Sequence, residues 1–273
     1  MTSPQDTLPT SPSLQRLELL VGAPALEKLA ATRVIVFGLG GVGSWCAEAL
    51  VRSGIGILAI VDSDAVSPSN INRQIQAMPS TVGKSKCAEL AIRLRSILPL
   101  ATIIEIPRRF DKTTADQFDL SGYDYAIDAI DSLSPKVELI IRASRSGAKV
   151  FSALGSANKL DPTRIAVASL WESYNCRLGK FVRKKLRRRG FNGEVTCIYS
   201  PEERKPVADS NSLITDDRSI PAPIDENDLE EAGDEELQST LKQNNGSAVH
   251  ITGTFGFMLA GLVIQDVAKN TSY

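Results

Sequence analysis

The stretch VIVFGLGGVGSW, Val34 to Trp45, constrains this chain more than any other. Four apolar residues, Val34 to Phe37, read as a buried strand. Gly38, Gly40, Gly41 and Gly43 read as a tight turn whose backbone can lie against something flat and charged. Ser44 to Ser53 continues as a helix, and its first N–H groups have no partner within the helix. Aligned peptide dipoles leave partial positive charge at such a start. Strand, glycine turn and bare helix start together form an anion site, and its natural occupant is a nucleotide phosphate. The competing reading is a glycine-rich turn without a ligand.

The same alternation continues downstream. Ile57 to Val61 reads as a second strand ending in Asp62 and Asp64, and Ser67 to Gln76 as a polar loop. Between Lys84 and Leu98, apolar residues mark one face of an amphipathic helix stopped by Pro99. Strands follow at Thr102 to Ile106, at Tyr125 to Ile130 (ending in Asp131) and at Lys149 to Ala153. A helix from Ser134-Pro135 to about Ser146 separates the last two. Strands alternating with helices predict an α/β fold with a doubly wound, mostly parallel sheet. Ligands on such sheets sit beyond the carboxyl ends of the strands, where Asp62, Asp64 and Asp131 are expected. After residue 155 the rhythm changes. Arg164 to Leu170 looks like another strand, and Thr252 to Ala268 like an apolar helix. The expected organisation is a tail over 1–13, a nucleotide-binding domain over 14–155 and a C-terminal extension over 156–273.

A formal net charge of −1 gives the molecule no strong overall field, so nucleic-acid affinity must come from a local patch. Arg177 to Arg189 holds eight Lys or Arg in thirteen positions and no acid. Arg183, Lys184, Lys185, Arg187, Arg188 and Arg189 are its candidate phosphate contacts. The alternative is an ordinary solvated helix face. Asp216 to Glu236 holds ten acids in twenty-one positions, and the acidic insert 209–245 is expected to be disordered. The four cysteines are widely spaced with no CxxC pair, which argues against a zinc ribbon or a disulfide scaffold and for a reducing compartment. The N-terminus lacks the apolar core of a signal peptide. Ile251 to Ala268 reads as a buried helix rather than a membrane span. A cytoplasmic setting is expected, with mitochondrial association left open.

GLGGVG also satisfies GxGxxG, and Asp62 stands where a dinucleotide enzyme holds its ribose, so a nicotinamide oxidoreductase competes. Arg73, Lys86 and Asp131 argue against it. Two cations and a carboxylate suit a triphosphate with Mg²⁺: the cations neutralise charge on the phosphates and the carboxylate holds the metal.

GLGGVGSW, VDSDAVSPSNINRQ, TVGKSK and IDAIDS, in that order and spacing, resemble the adenylating domain of the ubiquitin-activating and ThiF-type superfamily. NRQIQAM, YDYAIDAIDSLSPK, KLDPTRI and TGTFGF resemble the tRNA threonylcarbamoyladenosine dehydratase branch. The resemblance implies that Gly38, Gly40, Gly41 and Gly43 line ATP and that Asp62 binds the ribose hydroxyls. It implies that Asn70, Arg73, Gln74 and Lys86 hold the phosphates and Asp131 the Mg²⁺, with Asp64 serving nucleotide or metal. Arg73, Lys86 and Asp131 would be catalytic; Lys84 is the alternative to Lys86. It further implies a homodimer, with Arg16 the candidate for the N-terminal arginine that in the superfamily often reaches the partner's nucleotide, and tRNA as substrate. The implied chemistry is adenylation of a carboxylate on a modified adenosine, then ring closure with loss of AMP. Intramolecular closure needs no enzyme nucleophile. Cys176 and Cys197 are the candidates for a thioester nucleophile that loads a ubiquitin-like protein, but neither has a histidine near it in the sequence; Cys197, in the strand-like run VTCIYS, is expected in the core and His250 in a structural role. The runner-up is a ThiF-type enzyme that adenylates a ubiquitin-like or sulfur-carrier protein. A non-catalytic RNA-binding scaffold is a third reading.

Overall fold

The computed structural model describes residues 11–203 and 246–271. Five strands run in chain order: β1 (Arg33–Phe37), β2 (Ile57–Val61), β3 (Thr102–Ile106), β4 (Tyr125–Asp128) and β5 (Lys149–Ala153). The later residues add β6 (Ala166–Ser169) and β7 (Thr196–Tyr199). All seven lie in one sheet of order β3-β2-β1-β4-β5-β7-β6. Every pairing is parallel except β6 with β7. The doubly wound expectation therefore holds, with an antiparallel edge. The C-terminal extension does not stand apart: β7 lies against β5 and lengthens the same sheet.

Helices cover both faces, because alternate strand residues point to opposite sides. Val34, Val36, Leu58 and Ile60 face α3 (Gly43–Arg52), α4 (Lys86–Ile97) and α7 (Val249–Lys269). Ile35, Phe37, Ala59 and Val61 face the other way, toward the core that holds α5 (Leu133–Ser146) and α6 (Arg177–Arg188). The lead-in segment forms α1 (Gln15–Val21) and α2 (Ala23–Ala31).

By length and composition α7 could cross a membrane, but half of its apolar window is buried inside the fold. Ile251, Phe255, Leu259 and Val263, spaced four apart, are wholly buried. Each such side chain contributes about 1.5–3 kcal/mol. A Cβ at Gly256 would stand 2.5 Å from the Val42 carbonyl oxygen, so only glycine lets α7 lie this close to α3.

Two boundaries differ from the sequence reading. β4 stops at Asp128 rather than Ile130, because the Asp128 carboxylate accepts the Ile130 N–H at 3.1 Å and turns the chain. Asp131 thus lies three residues beyond the strand, on the turn before α5. The acidic insert and most of the N-terminal tail lie outside the described residues.

Candidate functional site

The parallel strands β1, β2 and β4 deliver three loops to one edge. The glycine turn after β1 is the tightest. Gly38 has φ +85°, and a Cβ on Gly43 would fall 1.8 Å from the Gly38 carbonyl oxygen. No side chain fits there, so the backbone folds onto itself and then enters α3. The turn between β4 and α5 closes the other side: the Ala129 N–H donates to the Phe37 carbonyl at 2.9 Å, and the Ala129 carbonyl lies against Gly38.

The loop after β2 ties to the same turn through Asp62. Its Oδ2 accepts the Leu39 N–H at 2.7 Å and its Oδ1 the Asp64 N–H at 2.8 Å. Lys86, 7% exposed at the start of α4, donates to Asp64 Oδ2 at 2.8 Å and stands 4.0 Å from Asp62 Oδ1. Burial pushes the Asp62 carboxyl above its ordinary range, against the pull of Lys86 and of the two backbone N–H groups. Lys84 points elsewhere, 3.4 Å from Glu89 and well exposed. The geometry therefore brings Lys86, not Lys84, to the acids.

The polar segment 67–78 folds back over the glycines. Gln74 lies beside Gly40, and the Arg73 stem beside Gly41. Asn70 is buried, and its Oδ1 accepts the Ser67 N–H at 3.1 Å. The Arg73 guanidinium donates to the Ser69 carbonyl at 2.7 Å and to Asn72 Oδ1 at 3.0 Å. Asp131 is exposed, within 3.2 Å of the Ser132 hydroxyl. Gly38, Gly40, Gly41, Gly43, Asp62, Asp64, Asn70, Arg73, Gln74 and Lys86 form one connected surface, with Asp131 on the turn that flanks Gly38.

Sequence reasoning missed several residues of this surface. The Trp45 indole N–H donates to the Arg73 carbonyl at 2.9 Å, and Thr252 of α7 packs against Gly41. Gln76 Nε2 donates to the Leu39 carbonyl at 2.9 Å, while its buried Oε1 has no partner among the described residues. A fully buried ion pair joins Asp128 to Lys136 at 2.6 Å. The Lys136 ammonium also donates to the Ala153 carbonyl at 2.8 Å, and the Ser152 hydroxyl to Asp128 at 2.6 Å. Trp45, Gln76 and Thr252 sat inside GLGGVGSW, NRQIQAM and TGTFGF, and this was their one signal.

The donor set can be tested against the expected ligands. Two cations and two amides beside a backbone cradle that admits no Cβ fit a polyphosphate. Among the described residues no group of three or more His, Cys, Asp or Glu could hold a metal alone. Mg²⁺ commonly takes one or two carboxylates plus phosphate oxygens, so Asp131 beside a triphosphate fits it.

The basic stretch is helix α6, and its charges are unequally placed. Phe181, Val182 and Leu186 are buried. Arg183 turns inward to the Leu170 carbonyl and the Ser173 hydroxyl, and Lys185 donates to Ser134 Oγ at 3.0 Å. Arg189 pairs with the largely buried Glu138 at 2.7 Å. Arg187 lies 5.3 Å from the Trp171 ring centre and is exposed, as is Arg188; Lys184 is half-buried. Cys176 is buried, and its sulfur accepts the Gly179 N–H at the start of α6. Cys197 lies in β7, its thiol pushed up to about 12 by burial. His250 Nε2 stands 3.0 Å from the Leu160 carbonyl.

Comparison with known proteins adds a second line. A model of the ThiF family matches residues 13–272. A Bacillus subtilis protein named tRNA threonylcarbamoyladenosine dehydratase is 34% identical over 256 residues, 93% of this chain and 94% of its own length. An Escherichia coli protein of the same name is 36% identical over 255 residues, 91% of this chain and 90% of its own. The crystal structure of E. coli tRNA N6-threonylcarbamoyladenosine dehydratase in complex with ATP matches with a TM-score of 0.77 at 28% identity, over 94% of each chain.

Proposed function

The chain belongs to the ThiF family, and on that premise we propose that it is an ATP-dependent dehydratase acting on N6-threonylcarbamoyladenosine in tRNA. One observation carries the reading: the glycine cradle, Asp62, Lys86 and Arg73 meet at the carboxyl edge of a chain that aligns almost end to end with dehydratases of that name.

The proposed reaction has two steps. The carboxylate of the threonylcarbamoyl group attacks the α-phosphorus of ATP; the bond to the β-phosphate oxygen breaks and pyrophosphate leaves. A carbamoyl nitrogen or oxygen of the same group then attacks the activated carbonyl, a ring closes and AMP departs. Asp62 binds the ribose hydroxyls. Asn70, Arg73, Gln74 and Lys86 hold the phosphates, and the two cations offset the charge that gathers as pyrophosphate leaves. Asp64 keeps Lys86 oriented. Mg²⁺, held by Asp131, would supply further charge neutralisation at the phosphates. All four cysteines are buried free thiols, and the chemistry assigns none of them a covalent step. The exposed cations of α6 meet the tRNA backbone.

We also take the enzyme to be a cytoplasmic homodimer. Leu19 and Leu20 on α1 are 77% and 76% exposed, next to Arg16, which would reach the partner's nucleotide. Light scattering of the wild-type chain tests the assembly.

The function is tested by ATP–pyrophosphate exchange. Stimulation by threonylcarbamoyladenosine-bearing tRNA, and none by a carrier protein, is the expected result; the reverse favours a carrier-activating enzyme. Asp131→Ala should abolish exchange and leave tRNA binding intact.

A further inference from the structure

We propose that Tyr174 is a stacking platform for a nucleobase of the tRNA, set at the same sheet edge as the nucleotide site. The inference rests on the function proposed above and names where the RNA is gripped.

Tyr174 is 56% exposed, unusual for a ring this large. It does not dangle. Its ring packs edge-on against Tyr199 at 5.7 Å between centres, and Tyr199 is the last residue of β7. The backbone is fixed on both sides. The buried Ser173 donates to the Leu170 carbonyl at 2.9 Å, and Asn175 Nδ2 donates to the Pro201 carbonyl at 3.4 Å. A propped, rigid aromatic presents a flat face at little entropic cost.

Its place in the fold gives it meaning. β7 runs parallel to β1 through β5, so its last residue lies at the carboxyl edge, as do Gly38, Asp62 and the turn carrying Asp131. A Cβ on Gly155, just past β5, would touch the Cys176 sulfur at 3.5 Å, which puts the Tyr174–Cys176 segment at that edge by an independent contact. Three strand spacings separate β7 from β1 in the sheet order, roughly 14 Å at about 4.8 Å each. That is farther than the threonylcarbamoyl group can reach, so the base held by Tyr174 is a neighbour of the modified nucleoside and not the modified base itself. The basic helix α6 starts at Arg177, three residues on, and carries its exposed Arg187 and Arg188 about 15 Å farther along its axis, so ring and cations would hold the RNA at separate points of one face. Aromatic faces beside basic grooves are how proteins hold unpaired bases, because every base has a π-face.

The test uses the full chain and tRNA bearing threonylcarbamoyladenosine, and compares Tyr174→Phe, Tyr174→Leu and Tyr174→Ala. Loss of one base stack corresponds to about 5- to 150-fold in affinity. Tyr174→Ala and Tyr174→Leu should raise KM for tRNA within that range. Tyr174→Phe should stay within about twofold of wild type, since its π-face is intact. KM for ATP should not move, and the melting temperature should fall by only about 1–6 °C, the worth of one edge-on ring contact. The salt dependence of tRNA binding should keep its slope, because no phosphate contact is lost. Wild-type tRNA affinity in Tyr174→Ala, or equal behaviour of Tyr174→Leu and Tyr174→Phe, overturns the inference and leaves the proposed function standing. Failure of modified tRNA to stimulate exchange in the wild-type chain overturns the function itself.

Discussion

Lys136→Met should unfold this protein more readily than almost any other single change. The Lys136 ammonium lies 2.6 Å from the Asp128 carboxylate, and both side chains are 0% exposed. At that separation the mutual attraction is about 6 kcal/mol with an effective dielectric of about 20. Burial offsets much of it, so the pair adds little over two apolar groups. Breaking it is another matter. Methionine has nearly the same shape but leaves the Asp128 carboxyl in the core without its cation, held by the Ser152 hydroxyl and the Ile130 N–H alone. The expected loss is about 3–5 kcal/mol. At ~2–4 °C per kcal/mol for a chain of this size, the midpoint should fall by roughly 6–20 °C. Urea titration followed by far-UV circular dichroism measures it directly. The double variant Asp128→Asn/Lys136→Met removes both charges and should return to within about 1–2 kcal/mol of wild type. A single variant that loses under about 1 kcal/mol would show that the pair is neither dry nor locked.

Other expectations are simpler to test. Gly43→Ala forces a Cβ to within 1.8 Å of the Gly38 carbonyl oxygen, so the cradle must open and calorimetric ATP affinity should drop at least tenfold; Gly122→Ala, with nothing within 4 Å, is the neutral control. Arg187→Glu with Arg188→Glu should weaken tRNA binding and make its salt dependence shallower by about two units of slope, and an unchanged slope would mean α6 is only a wet surface. Burial pushes the Glu48 carboxyl up, but hydrogen bonds from Arg93 and Arg52 outweigh it and hold the carboxyl below its ordinary value. Stability from this group is therefore complete above about pH 4.5 and lost as the pH falls through its folded value. Glu48→Gln should lower stability at pH 7 and flatten the acid limb of a stability-against-pH curve. A variant with the same acid limb as wild type would remove Glu48 from the account.

What the sequence revealed and what it hid divide by contact range. The glycine turn, β1 and α3 are legible because their causes are local: an apolar run, positions that admit no Cβ, a helical period. The parallel order follows from alternation and handedness alone. Asp128 and Lys136 are the opposite case. In the string YDYAIDAIDSLSPK nothing local marks either as one half of a buried pair, and Asp131 is the acid that stands at the expected end of the strand. Their burial depends on β5, which brings Ser152 and the Ala153 carbonyl over the pair from sixteen or more residues away. The basic run misleads for the same reason. Eight cations without a local acid suggest one open surface, yet Arg189 is neutralised by Glu138, fifty-one residues earlier, and Arg183 is turned inward onto the Leu170 carbonyl and the Ser173 hydroxyl. Charge in a sequence is a sum over neighbours in the chain; charge at a surface is what long-range partners leave over. On α6 that residue is concentrated in Arg187 and Arg188, so an RNA groove on this face must be narrower than the sequence implies and must draw the rest of its grip from uncharged groups.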